Sequence, residues 1–578
     1  MASLLTELKR RRVFRTVASY AVIAWLLIQI VVAVEAPLDL PAWSDTFVIV
    51  ALIIGFPVCA LLAWFFDVTP HGIERTIDAG GAAAGELEPL SRPDRWTIVF
   101  AAAAATLLVA TAAYFLIGRP GPTIDTIAVL PFELVDVDSS TTYLGDGLRD
   151  SLVMRLSRLR DLRIKTSDAR SGNGSDPRPL GRGLDVQAIC RGRVTQRGDA
   201  LAISAELVDA DDGAILWREE YSTEASNLIA IEGAISQEVA QRLGLELTAE
   251  EQTALTRAPT NNPAAHRLYQ QGRYFWNRRT LEGFVASIDF YNRAIALDPD
   301  YALAYAGLAD TYLMLLGWGM RPPDQVADLV VESARRAIQR DATLAQPHAT
   351  LGYFETIHDR DWDGAREEFL TAISLDNNYS STHHWYAFLL MTEGNMPAAI
   401  EEILLARESE PLSPIINAEV GYFYIFDRQY ERAIEQLQTA SLLDPNYPPT
   451  VIYLARANAL LGRRSEALEY VERWRNGASD NLIVSAYGAM PLPLLGLEDE
   501  AREIYRRTLA ASESMYVMPG ILGVLAAAIG DNDAAFADLE RGLAEGSLVV
   551  SWLRDPLLDE LRTDPRYAAL LARIGLEP

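Results

Sequence analysis

Histidines are the first residues to question for chemistry in this 578-residue chain, which holds six of them. His383 and His384 are adjacent. Neighbours on a helix point about 100° apart and do not converge on one metal ion. No carboxylate or cysteine follows at i+4, where Ala387 and Phe388 stand, so surface and groove residues are expected instead of a metal site. Gly145-Asp146-Gly147 lacks the full glycine fingerprint of a phosphate loop and reads as the start of a helix. Cys190 is followed by Arg191 and Arg193, cations that could lower a thiol pKa. A half-buried structural thiol is nevertheless expected, and Cys59 and Cys190 cannot build a disulfide framework. No Gly-x-Ser-x-Gly elbow occurs. No catalytic residue, cofactor or metal is expected, and the chain reads as a binding protein and not an enzyme.

The elements that would position a binding surface lie in the C-terminal half. A helical phrase recurs there as Ala294-Ile-Ala-Leu-Asp-Pro299, Ala372-Ile-Ser-Leu-Asp-Asn377, Ala406-Arg-Glu-Ser-Glu-Pro411 and Ala440-Ser-Leu-Leu-Asp-Pro445. Asp376, Glu410 and Asp444 are spaced by 34 residues, as are Ala399, Ala433, Ala467, Ala501 and Ala535. Small residues at a fixed period let paired helices cross closely, and proline ends each unit. This helix–turn–helix period resembles the tetratricopeptide repeat (TPR). About eight units over 264–578 are expected, closed by a capping helix between Asp555 and Leu576. The resemblance implies that the first helix of each unit lines a concave groove. Its partner-binding positions fall on Trp276, Tyr353, His384, Phe388, Tyr422, Phe426 and Arg456. An aromatic strip without lysine suits an extended or helical peptide, unless its members pack between helices.

Residues 123–250 alternate α and β. Ile127-Ala-Val-Leu-Pro-Phe132 is a strand closed by proline, and Leu144, Leu148, Leu152 and Leu156 form a helical stripe. Arg197-Gly198-Asp199 and Asp211-Asp212-Gly213 are tight turns between alternating strands. The expected order is β-α-β-(α)-β-β-β-α. With Tyr143-Leu-Gly-Asp-Gly-Leu148, Arg191-Gly-Arg-Val194 and Asp209-Ala-Asp-Asp-Gly-Ala-Ile-Leu-Trp217, the segment resembles the TolB N-terminal-like domain, related to the FlgO-like family. A polar linker, 251–263, leads to the repeats.

Residues 1–118 read as a membrane domain. Lys9, Arg10, Arg11, Arg12 and Arg15 flank the first of three apolar runs, at about 13–34, 46–66 and 97–117. At about 1.5 Å per residue each can cross a hydrocarbon core of about 30 Å. The basic flank places the N-terminus in the cytoplasm. Three crossings then put the bulk of the chain in the periplasm of a bacterium, with the lipid bilayer as a partner. Glu7-Leu-Lys-Arg-Arg-Arg-Val-Phe-Arg15, Tyr20-Ala-Val-Ile-Ala-Trp-Leu-Leu-Ile-Gln29 and Phe66-Asp-Val-Thr-Pro-His-Gly-Ile73 resemble the N-terminal membrane module of bacterial signalling-type proteins. The expected fold class is therefore multidomain: three transmembrane helices, a compact α/β TolB-like domain and an all-α TPR solenoid.

A formal charge of −27 argues against nucleic acid as a partner, and self-association into a homo-oligomer stays open. The expected function is non-catalytic scaffolding or sensing at the inner membrane, with protein or peptide partners bound by the periplasmic TolB-like domain and the repeat groove. One alternative is an accessory factor recruiting enzymes of envelope glycan or lipopolysaccharide assembly. Another is the regulatory half of a cyclase-type signalling system.

Overall fold

The computed structural model describes residues 124–577 except 139–140, 167–175, 198–199, 225–227 and 478–480. Before them it describes Tyr20, Val22, Ala24, Trp25, Leu52, Phe66–Thr69 and Gly72–Arg75. The chain divides into two compact units, Met1–Ala112 and Ala113–Pro578. In the first, β1 (Phe66–Thr69) and β2 (Gly72–Arg75) pair antiparallel, from Phe66↔Arg75 to Thr69↔Gly72.

The membrane expectation is corrected here. The spans at 13–34, 46–66 and 97–117 lie outside the described residues, apart from the few residues named above, and Phe66 opens a strand. Among the described residues no helix is long and apolar enough to cross a membrane. The inner-membrane topology, the periplasmic placement and the bilayer as partner are accordingly withdrawn. The observed class is a mostly α-helical protein with repeated helix–helix packing and a small, open, mixed sheet.

The sheet is built around β3 (Thr126–Val129), which runs parallel to β5 (Arg163–Thr166) on one side and β6 (Ala188–Arg197) on the other. β4 (Glu133–Val135) continues along the same edge of β6, and β7 (Ala200–Asp209) and β8 (Ile215–Glu224) extend it as an antiparallel meander. The order is β5-β3-β6-β7-β8. Ile127 and Val129 face one core, with α1 (Leu144–Leu156) and α3 (Leu228–Arg242). Ala128 and Leu130 face a second core, with Leu184 of α2 (Pro177–Leu184). A strand covered on both faces needs an unbroken apolar run, which is why Ile127–Leu130 does not alternate. Leu144, Leu148, Leu152 and Leu156 all turn inward, as their spacing predicts.

Within 251–263 the chain is ordered. α4 (Ala249–Thr256) opens with a capping box between Thr248 and Glu251, and its Leu255 is fully buried. Eight helical pairs follow among the described residues. They are α5 (Pro263–Trp276) with α6 (Leu281–Leu297), α7 (Ala302–Gly317) with α8 (Pro323–Arg340), and α9 (Ala345–Phe354) with α10 (Trp362–Leu375). α11 (Ser380–Glu393) pairs with α12 (Met396–Ser409), and α13 (Pro414–Phe426) with α14 (Tyr430–Leu443). The last three are α15 (Pro448–Leu460) with α16 (Arg464–Gly477), α17 (Leu482–Ala489) with α18 (Glu498–Ala511), and α19 (Pro519–Ala528) with α20 (Asn532–Glu545).

The recurring aspartate has a local cause. Asp298, Asp341, Asp376 and Asp444 leave their helices in extended conformation, and the Oδ1 of each accepts from the N–H two residues on at 2.9–3.1 Å. That Asx turn redirects the chain into the next unit. The periodic alanines are fully buried where helices cross, and a Cβ at Gly421 would overlap Leu437 of α14.

The end of the chain is not a plain cap. Three short turns, Val550–Trp552, Pro556–Leu558 and Leu561–Thr563, precede α21 (Pro565–Ala572). They reach back to the middle of the solenoid. Arg554 Nε donates to Thr392 O at 2.9 Å, and Trp362 Nε1 donates to Ile574 O at 2.9 Å. A wide turn over Glu355–Asp359 brings His358 Nδ1 to 2.7 Å from Gly546 O. At the other end, Ser157 donates to Asp376 at 2.6 Å, and Asn378 Nδ2 donates to Leu162 O at 3.0 Å. The mixed-sheet domain and the tail thus both fold against the concave side of the repeats.

Candidate functional site: the concave surface

On the first helices, residues at i, i+3/i+4 and i+7 share a face. On α5 these are Tyr269, Arg273 and Trp276, on α11 Ser381, His384, Trp385 and Phe388, and on α13 Ile415, Glu419 and Tyr422. With matching faces of α7, α9, α15 and α17 they line a cavity of about 980 Å³. Arg149, Asp150, Met154 and Arg158 of the α1 region and Ile164 and Thr166 of β5 form its opposite wall, while Leu548 and Trp552 of the tail help line it.

Five of the seven groove positions read from the sequence come together here: Trp276, Tyr353, His384, Phe388 and Tyr422. The Arg279 and Arg273 guanidiniums stand 3.6 and 4.4 Å from the Trp276 ring centre. Tyr353 stacks on Trp385 at 5.4 Å, and Phe388 lies between His384 at 5.6 Å and Tyr422 at 6.5 Å. Arg456 is buried against Asp555 of the tail in a small adjoining pocket, and Phe426 packs on Tyr422 at 4.5 Å. The strip therefore lines one wall of a partly open cavity whose other walls come from the tail and the mixed-sheet domain.

Residues beyond that strip set the electrostatics. The arginines lining the cavity, Arg149, Arg158, Arg273, Arg278 and Arg279, belong to α1, its following turn, α5 and the turn after it. From Ser409 onward every lining residue is neutral or acidic. Burial and the neighbouring Arg273 bring Arg279 down to about 10. Burial and Arg279 bring His384 down to about 4, and its Nε2 is buried without a partner. Burial pushes Glu419 up to about 8, and its Oε2 likewise has no partner. Glu419 sits one turn before Tyr422 on the same face, a spacing that could have flagged it.

The remaining candidates resolve as structure. Burial opposes charge on His383, yet Glu402 at 2.7 Å and the Asn377 carbonyl at 3.0 Å hold its pKa above the usual value. Among the described residues no group of His, Cys, Asp and Glu is placed to hold a metal ion. Cys190 is fully buried, not half-buried, and burial together with Glu206 pushes its thiol up to about 12. Arg191 is engaged by Glu206 at 2.6 Å. A Cβ on Gly145 would overlap Phe132 O, and one on Gly147 would lie 3.0 Å from Gln270 of α5, so these glycines serve close packing.

Fold and site together define a helical-repeat protein whose concave face lines a cavity walled in part by a mixed-sheet domain. Residues 123–241 match the family described as HilA/YgeH-like transcriptional regulator, second domain, which replaces the TolB-like, FlgO-related resemblance. A curated relative, the putative adenylate cyclase 3 of Rhizobium meliloti (strain 1021), is 26% identical over 235 residues, covering 40% of this chain. The match spans 40% of that protein's own length. Among solved structures, PilF of Pseudomonas aeruginosa is 20% identical, with 36% of this chain and 92% of that one covered at a TM-score of 0.27. A TPR protein of Thermus thermophilus is 17% identical, with 34% and 99% covered at a TM-score of 0.29. Human IFIT1, solved as a dimer with PPP-AAAA, is 15% identical, with 55% and 83% covered at a TM-score of 0.35. The repeat assignment rests on the helix pairs themselves.

Proposed function

We propose that this chain is a regulatory, partner-binding module of a cyclase-type signalling system and is not itself an enzyme. The observation that carries the reading is the two-sided wall of the cavity, supplied by α1 and β5 on one side and by seven first helices on the other. Occupation of such a space is felt by both halves, which is what a regulatory module requires. Trp276, Tyr353, His384, Phe388 and Tyr422 are the residues proposed to contact the bound group, with Phe426 and Arg456 supporting them from behind. The signalling context is supported by the matched regulator family and by the relative described as a putative adenylate cyclase.

The test is to delete the chain from its cell, restore it, and measure cyclic AMP and cyclic GMP pools. A change on deletion that is reversed on restoration is expected. Unchanged pools overturn the cyclase-type reading. The purified chain given ATP and magnesium is expected to form no cyclic nucleotide, and formation would overturn the non-enzymatic reading.

A further inference from the structure

We infer that the lobe of the cavity around Glu419 binds an organic ammonium group, carried either by a free alkylamine or by the lysine side chain of a peptide. The inference rests on the reading of the cavity as the binding site and names its ligand chemistry.

Glu419 projects from α13 into the cavity, and among the described residues nothing donates to its Oε2. Glu419 is half-buried, but its Oε2 is closed off from water, and a carboxylate oxygen held there with no donor and no cation is costly. Among the described residues the fully buried acids have partners within the chain. Glu232 has His266 and Gln270, Glu206 has Arg191 and Arg218, Asp310 has Thr350 and Gln346, and Asp555 has Arg456. Glu355 Oε2 is also without a donor but does not line the cavity, whereas Glu419 does, where a partner from outside the chain can reach it.

The surroundings select the sign of that partner. The charge of Glu419 raises the pKa of five tyrosine hydroxyls, those of Tyr353, Tyr422, Tyr447, Tyr453 and Tyr487, each of them chiefly held up by burial. All five line the same cavity. Aromatic faces attract an ammonium through their negative quadrupole, and hydroxyl oxygens accept from it. No lysine or arginine lines the cavity from Ser409 onward, whereas Glu410 and Asp444 do. Arg279 reaches the lobe at Tyr447, and Arg456 behind Tyr422 is held by Asp555, so Glu419, Glu410 and Asp444 leave the balance of the lobe acidic. The volume, about 980 Å³, is at the upper end for small-molecule sites, so the ammonium belongs on an alkyl chain that also covers apolar wall.

The proton balance follows from the isolation of Glu419. Near neutral pH its carboxyl keeps its proton. When R–NH3+ enters and pairs with the carboxylate, that proton passes to solvent, and no other bond changes.

The full chain is titrated calorimetrically near neutral pH, in two buffers of different ionisation enthalpy. The probes are n-butylammonium chloride, the tripeptide N-acetyl-Ala-Lys-Ala-amide, and n-butanol as the neutral isostere. An ammonium probe is expected to bind with release of about one proton, and Glu419→Gln is expected to weaken it about tenfold or more and to abolish the release. Tyr453→Leu, which keeps the carboxyl, is expected to weaken it as well. Binding of the amine alone or of the tripeptide alone upholds the site and identifies the source of the ammonium. Failure of both probes, equal binding by Glu419→Gln, or equal binding of n-butanol overturns the inference. Should Glu419→Gln not fold, the buffer-dependent proton release of the unaltered chain decides. Failure here leaves the cyclic-nucleotide experiment untouched.

Discussion

Glu232 and His266 sit 2.9 Å apart with both side chains closed off from solvent. Glu232 belongs to α3 of the mixed-sheet domain and His266 to the first repeat helix. The carboxylate accepts from His266 Nε2 and, at 2.8 Å, from Gln270 Nε2. His266 Nδ1 faces the Tyr301 hydroxyl at 3.1 Å. On the other side, Arg155 donates to the carbonyls of Leu255 and Arg257 at 2.8 and 2.9 Å. This network fastens the two halves that wall the cavity.

Glu232→Ala should therefore uncouple them. It leaves His266, Gln270 and Arg155 buried around a missing acceptor, a loss on the order of 3–5 kcal/mol. Urea denaturation should show a second transition, and limited proteolysis near Arg257 should be faster than in the unaltered chain.

The tail makes a second fastening through Arg456 and Asp555, both almost fully buried. Arg456→Ala strands the aspartate and should loosen the tail by roughly 3–5 kcal/mol. Hydrogen exchange should rise over 550–572 while the mixed-sheet domain stays protected. Uniform exchange across the chain would count against a local latch.

Close helix crossing predicts an asymmetric response to alanine. A Cβ at Gly307 of α7 would lie 2.6 Å from Tyr291 Cζ, in a core with no room to yield, and Gly307→Ala should cost about 1–3 kcal/mol. Gly183 of α2 has nothing within 4 Å. Gly183→Ala should be neutral or stabilise by about 0.5–1 kcal/mol through helix propensity. Thermal melts of the two variants distinguish them.

Stability should fall as pH rises across neutrality. Burial lifts Glu419 to about 8, and burial with Glu368, Asp361 and Asp359 lifts Glu355 to about 7. A raised carboxyl pKa means the folded state keeps a proton that the unfolded state releases near 4.5. That contribution is fully present below about 4.5 and is lost as pH passes through 7 and then 8. The double variant Glu355→Gln, Glu419→Gln should flatten the slope in pH-dependent denaturation.

Cys190 should resist iodoacetamide in the folded chain, since its thiol is fully buried and pushed up to about 12. Mass spectrometry should find it alkylated only on unfolding.

The 34-residue period, the alanines that carry it and the aspartate that turns each unit are local facts, and they were legible in the sequence. Helix–helix neighbours within a repeat are set by short connections, so the periodic spacing alone predicts which faces meet. The leucine stripe of α1 and the apolar run of β3 were legible for the same reason. The groove strip was legible only in part, because helical spacing places Trp276, Tyr353, His384, Phe388 and Tyr422 on one face but says nothing of what covers it. That cover joins residues far apart in the chain: Arg456 with Asp555, Trp362 with Ile574, Ser157 with Asp376. Such pairings leave no periodic trace. The wall opposite the strip, supplied by α1, β5 and the tail, exists only once those distant segments have met, so the tertiary structure alone decided the cavity.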